Sequence, residues 1–321
     1  MAVPILANVK LIFRIICNIT KKTCKLLYTS ANVRCMFPDV ETRHVPSVQR
    51  EVEFAYRKMF PSADVLFVKE AFSIAVSCFS GKYKDYQPID ARYHDMEHTM
   101  QGSLCMARLL LNRHQSGAQP VLTEKMFQLG LYAILLHDTG YLKKKGDNEG
   151  TGAKYTLIHV NRSMEFAAEL LSERNCSIQD ILSVQNMIRC TGVNVDLRSI
   201  PFQSEIEQIT GLALGTADLL GQMAASDYIE KLPILYAEFA ESAKFNGGRS
   251  TAAGTFASAE DLMHKTPLFW EKYVQPKIKG DFGGLYQFLA TPYPSGANGY
   301  IIPIEQNIQK LKARLVPMHA A

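Results

Sequence analysis

A chain of 321 residues with 47% hydrophobic and 21% charged residues can bury a sizeable core and is too apolar to be disordered as a whole. Its net charge of +4 gives no global basic field, so there is no strong nucleic-acid signal. Seven cysteines at irregular spacing, with no Cys-x-x-Cys, suit neither a disulfide framework nor a structural zinc knuckle; a reducing, cytoplasmic compartment is the simplest reading.

The basic excess is local. Positions 1–38 hold Lys10, Arg14, Lys21, Lys22, Lys25 and Arg34 and no acidic residue. Lys10 and Arg14 interrupt the apolar run over 5–19, which argues against a continuous membrane span of about 20 residues. On a helix Lys10, Arg14, Lys21 and Lys25 return to one side, with Ile5, Ile12, Ile16 and Ile19 elsewhere. Segment 1–45 is therefore expected to be a basic amphipathic piece suited to peripheral contact with an anionic membrane. A transit peptide, a packed terminal helix or sequence ahead of the true start codon fit the same pattern.

Further along, 48–60 reads as a helix stopped by Pro61, and Ser62 can cap another that runs to Phe79. The polar block 81–91 reads as a loop. Helical periodicity returns over 93–113, and Thr123 can cap a helix that ends near Asp138. The segment 141–152, with Lys143, Lys144 and Lys145 and three glycines, is expected to be a solvated loop, the alternative being a mobile, phosphate-attracting lip. Helices follow over 157–173, over 178–188 behind a Ser177/Asp180 capping box, and over 206–224. Beyond Glu238 glycines and prolines multiply, which predicts a loop-rich part closed by a helix over 305–315, with the lone Trp270 in the packing. No period-two alternation competes. The chain is expected to be all-α, with 46–240 as the main domain and 241–321 as a C-terminal helical extension packed on it.

Three features carry chemistry. His94 and His98 are four positions apart and would share one face of a helix, which alone suits surface or capping chemistry as well as ligation. In Leu136-His137-Asp138-Thr139-Gly140 an imidazole and a carboxylate close an apolar helix. Burying that carboxylate costs several kcal/mol unless a cation or strong donors meet it; the alternative is an Asp that caps the next turn. Asp218 is another isolated carboxylate in an apolar helix, and an Arg or Lys partner would explain it as well as a metal. Together the three supply two imidazoles and two carboxylates. That mixed set suits Zn²⁺, Mn²⁺ or Fe²⁺, with Mg²⁺ tolerable at a more oxygen-rich neighbouring position.

The order His98, His137-Asp138, Asp218 resembles the HD superfamily of metal-dependent phosphohydrolases, and Tyr93-His94 followed by His98 is similar to the Tyr-His-Asn-x-x-His opening of class I cyclic-nucleotide phosphodiesterases. The resemblance covers roughly 93–239, including Tyr236-Ala237-Glu238-Phe239. It implies an HD-type helical bundle with His98, His137, Asp138 and Asp218 as ligands of a first divalent ion, and Asp138 able to bridge to a second. His94 would be the general acid, and His159 would either ligate or be a helix-start imidazole bonded to backbone. The implied activity is hydrolysis of a small-molecule phosphate ester, a cyclic-nucleotide or other nucleotide phosphodiester, by metal-activated hydroxide. A catalytically silent HD-like domain that binds a nucleotide or a partner is the alternative.

The chain also departs from that pattern. Asp95 stands for the family's Asn, Tyr141 for a further His three residues after the doublet, Cys190-Thr191 lacks the later His of binuclear members, and no glutamine near Phe239 matches a purine clamp. Nothing in the residues fixes the oligomeric state.

Overall fold

The computed structural model describes residues 37–193, 195–247 and 256–315. The amphipathic pattern over 5–25 lies outside the described residues. Within them the protein is all-α: α1 (Val45–Met59), α2 (Leu66–Phe79), α3 (Met96–Gln115), α4 (Glu124–Leu136), α5 (His159–Ser172), α6 (Ile178–Arg189), α7 (Glu205–Met223), α8 (Tyr228–Phe245), α9 (Ala259–Phe269) and α10 (Ile301–Leu315), with one two-stranded hairpin, β1 (Ala290–Thr291) antiparallel to β2 (Ala297–Asn298). None of the described helices is long and apolar enough to cross a membrane.

Side-chain caps explain where several helices begin. Thr123, Ser177 and Ser204 each accept from a backbone N–H in the first turn of α4, α6 and α7. Helix α2 begins later than Ser62 suggests, because Ser62–Val65 form a turn from which Asp64 Oδ1 accepts the N–H of Leu66 at 2.8 Å. The larger surprise is at α3. Asp95 caps it by accepting the N–H of His98 at 2.9 Å, so His94 precedes the helix instead of sharing a face with His98.

Helix α3 lies at the centre, packed on α1 and α7, while α7 also meets α4 and α6. The crossing of α3 and α7 is close because Gly221 has no side chain: a Cβ there would come within 2.8 Å of the backbone of Gln101. That approach brings Asp218, one turn before Gly221, against His98.

The C-terminal part is more helical than its prolines imply. Helix α8, unassigned from sequence, carries Pro233 inside it and runs through position 240. Helix α9 continues into two π-helical turns, Trp270–Val274 and Lys277–Asp281, with Pro276 between them and Trp270 buried. Wider turns accommodate a proline ring that would clash with the i−4 carbonyl in a regular helix.

Candidate metal centre

The His98 side chain enters the site from the first turn of α3, His137 from the C-cap of α4, Asp138 from the residue after it, and Asp218 from the fourth turn of α7. His98 Nε2 lies 3.3 Å from Asp138 Oδ2 and 3.0 Å from Asp218 Oδ1; His137 Nε2 lies 3.3 and 3.4 Å from the same two oxygens. His98, His137 and Asp138 are buried, and their ligand atoms all lie within 4.8 Å of one another, a group that could hold a metal ion. Asp218 falls outside that mutual grouping, although its carboxylate touches both imidazoles.

His98 Nε2 and Asp218 Oδ1 lie within hydrogen-bonding distance, but the set as a whole is not satisfied. His137 Nε2 and Asp138 Oδ2 are buried with no hydrogen-bond partner, despite being neighbours. Ligand atoms about 2.0–2.2 Å from one cation sit roughly 2.9–3.6 Å apart, according to whether the shell is octahedral or tetrahedral, and the four separations fall inside that interval. Among the described residues no Lys or Arg pairs with Asp138 or Asp218; their close cationic neighbours are imidazoles. The donor set fits a divalent cation.

Electrostatics point the same way. Burial pushes His137 down, but the charges of Asp138 and Asp218 push it up more strongly, to about 9. Burial likewise opposes ionisation of Asp138, yet His137, His94, His98 and His159 hold its carboxyl below the ordinary range; Asp218 is also lowered, by His137 and His98 against its burial. The pocket is prepared for positive charge. Hydrogen bonding fixes the orientation of His137, whose Nδ1 meets the carbonyl of Ile134 at 2.7 Å, while His98 Nδ1 is buried without a partner.

His94 stands beside this group, its ring centroid 5.5 Å from that of His98. It is no surface imidazole. Its Nδ1 is 2.6 Å from Glu238 Oε2, and Glu238 Oε1 accepts the N–H of Tyr93 at 2.7 Å. Burial lowers the basicity of His94, but the charge and hydrogen bond of Glu238 raise it by more. With Nδ1 bonded to the carboxylate, Nε2 is left for the site. Glu238 is the candidate site residue that residue-level reading passes over: its partner lies 144 positions earlier, and only the likeness of Tyr236–Phe239 to a family stretch points to it.

His159 has the backbone bond of the helix-start reading and also faces Asp138. Its Nδ1 bonds the carbonyl of Thr156 at 2.6 Å, as a helix-start imidazole would, and its Nε2 lies 4.0 Å from Asp138 Oδ1. Burial holds it below its ordinary pKa in spite of Asp138. The side chains of Asp218, His94 and His159 keep 14%, 15% and 19% of their exposure, against 1–2% for His137 and Asp138, so the site opens on the side of those three.

Two features of the sequence acquire physical meaning. Asp95 spends its side chain on the cap, a task Asn performs equally well, so the exchange keeps the cap of α3. The lysine run is neither a solvated loop nor a mobile lip at its first member. Lys143 is buried, bonded to Asp90 at 2.8 Å and to the carbonyl of Gly150 at 2.6 Å, while Lys144 lies over the Tyr86 ring.

A family model described as Npun_R2479-like matches residues 144–288. The chain is similar to that family over this stretch. The match includes His159, Asp218 and Glu238 and excludes His94, His98 and the His137-Asp138 doublet. No curated protein matches the chain.

Proposed function

We propose that the protein is a metal-dependent phosphoric ester hydrolase acting on a nucleotide or related small phosphodiester, with His98, His137, Asp138 and Asp218 holding a Zn²⁺, Mn²⁺, Fe²⁺ or Mg²⁺ ion. The observation that carries this reading is the convergence of two imidazoles and two carboxylates at 3.0–3.4 Å while His137 Nε2 and Asp138 Oδ2 lack hydrogen bonds. When bound, a divalent cation supplies Lewis acidity: it makes water nucleophilic near neutral pH and offsets charge on phosphoryl oxygens.

The chain's own residues do the rest. Glu238 fixes the tautomer of His94 and favours its protonated form, so that His94 Nε2–H can pass a proton to the departing ester oxygen. Glu238 thereby acts through His94, as a positioning residue. The walls of Tyr93, Tyr141 and α3 keep bulk water from the inner side of the site, and the partly exposed Asp218, His94 and His159 mark the side from which an ester would approach. The compartment consistent with this reading is the cytoplasm, with the segment outside the described residues as the candidate membrane contact.

The test is metal content of the purified full chain together with hydrolysis of bis-p-nitrophenyl phosphate in added Mn²⁺, for the native protein and Asp138→Ala. Native protein should retain metal and hydrolyse the ester. The variant should lose the ion and on the order of 10³-fold or more in rate, several kcal/mol at about 1.4 kcal/mol per tenfold. A stable native protein that binds no metal and hydrolyses nothing would replace this reading with a nucleotide- or partner-binding domain.

A further inference from the structure

Asp138 faces two ways. Oδ2 looks toward His98 and His137, whereas Oδ1 looks toward His159 at 4.0 Å, which is the arrangement from which a second ion could be shared. The far side does not complete a shell. Among the described residues the only three His, Cys, Asp or Glu side chains whose ligand atoms come within 4.8 Å of one another are His98, His137 and Asp138. Next to His159 stands Tyr141, fully buried, its ring nearly parallel to both neighbouring imidazoles: centroids 4.5 Å from His94 at 12° and 4.7 Å from His159 at 23°. Those two imidazoles are 6.1 Å apart, and His94 Nδ1 is already committed to Glu238.

Tyr141 has no room to withdraw. It ends the short 3₁₀ turn Thr139–Tyr141, whose backbone is held on several sides: Ser163 Oγ accepts the N–H of Gly140 at 2.8 Å, and Arg162 donates to the carbonyls of Gly140 and Leu142 at 2.7 and 2.8 Å. A Cβ at Gly140 would come within 2.0 Å of the carbonyl oxygen of His159, and one at Gly152 equally close to that of Tyr141. The turn is wedged between the two segments it touches, so the aromatic wall is part of the packed structure.

We infer that this centre binds one divalent ion and not two, with Tyr141 closing the far side of Asp138 and His159 remaining outside the ion's shell. The inference rests on the metal-centre reading above and adds the stoichiometry. His159 and His94 then form, with Tyr141, an aromatic wall beside the ion, available to a phosphoryl group or its leaving oxygen and not spent on coordination.

The measurement is ions per chain by elemental mass spectrometry after saturation with Mn²⁺ and desalting, with the Mn²⁺ resonance spectrum as a second readout, on the full chain, on His159→Ala and on Tyr141→Phe. We expect one ion per chain in all three, an uncoupled Mn²⁺ spectrum, and a change of less than about tenfold in ion affinity for His159→Ala, below the cost typical of a lost ligand partner. Tyr141→Phe keeps the wall and controls for folding. Two ions per native chain, an exchange-coupled spectrum, or loss of the ion in a folded His159→Ala would overturn the single-ion inference and leave the metal-centre reading standing. No ion in the native chain would overturn that reading itself.

Discussion

Helix α7 carries two acidic groups three turns apart, Glu207 buried and Asp218 half-buried, that solve the same problem in opposite ways. Glu207, in its first turn, is 1% exposed and saturated by neutral donors: Ser183 Oγ at 2.9 Å, Asn186 Nδ2 at 3.0 Å and the N–H of Gln203 at 3.1 Å. Asp218, facing Asp138 across two imidazoles, has none of these. A carboxylate surrounded by hydrogen-bond donors is finished as a structural element, and removing it leaves its donors stranded. A pair of carboxylates facing imidazole nitrogens, with Asp138 Oδ2 left unbonded, is unfinished, and under the proposed function a divalent ion would complete it. Burial alone therefore does not mark a candidate functional acid; incomplete satisfaction does.

The largest expected effect on stability separates the two. Glu207→Ala strands three donors, each worth about 1 kcal/mol, and should lower unfolding free energy by about 3 kcal/mol while leaving ion affinity and ester hydrolysis of the folded fraction intact. Asp138→Asn should behave in the reverse manner. In chelator above about pH 9, where His137 is neutral, its urea midpoint should lie within about 1 kcal/mol of the parent, because the carboxylate oxygen it removes makes no hydrogen bond, whereas near neutral pH the loss of the charge that helps hold His137 protonated adds to the cost, and activity should vanish. Were Asp138→Asn to unfold the metal-free protein and Glu207→Ala to spare it, the contrast between finished and unfinished acids would be broken.

Glu238 sharpens the comparison because it belongs to both classes: its partners are complete, yet one of them is the proton donor of the proposed reaction. His94 has a raised pKa, so its cationic form is fully present at low pH and is lost as pH rises through that raised value. Glu238→Gln removes the charge that raises it and keeps the hydrogen bond's shape. The alkaline limb of kcat/KM should move to lower pH, with a loss of about 10–100-fold near neutral pH. A merely structural Glu238 would lower activity without moving the limb.

How far the fold and the site are legible in the sequence follows the range of the interactions. The helices α4, α6 and α7 are written in local caps and periodicity and α1 in periodicity alone, while the His, His-Asp and Asp features are visible as isolated polar groups and the choice of His98 with His137, Asp138 and Asp218 comes from the family resemblance. What escapes is less local. Periodicity places His94 on the helix, although Asp95, with Glu97 in the first turn, already reads as a cap. Helix α8 is hidden by Pro233 and by the change of texture beyond it, and Glu238 by the 144 positions that separate it from His94. A run of three lysines looks uniform in a sequence, and only the fold shows that Asp90 and the carbonyl of Gly150 select one of them for burial.

That last distinction gives the smallest effects. Lys143 is 5% exposed and tied to Asp90, whose own side chain is 37% exposed and screened accordingly. Lys143→Met should therefore cost about 1–2 kcal/mol, less than a fully buried pair would, and loosen the turn that leads to Gly152. Lys144→Ala and Lys145→Ala should each stay within about 0.5 kcal/mol, since both are exposed. Denaturant midpoints for the three variants decide the matter. Equal midpoints would remove the distinction between Lys143 and its neighbours and return the run to a uniformly solvated loop.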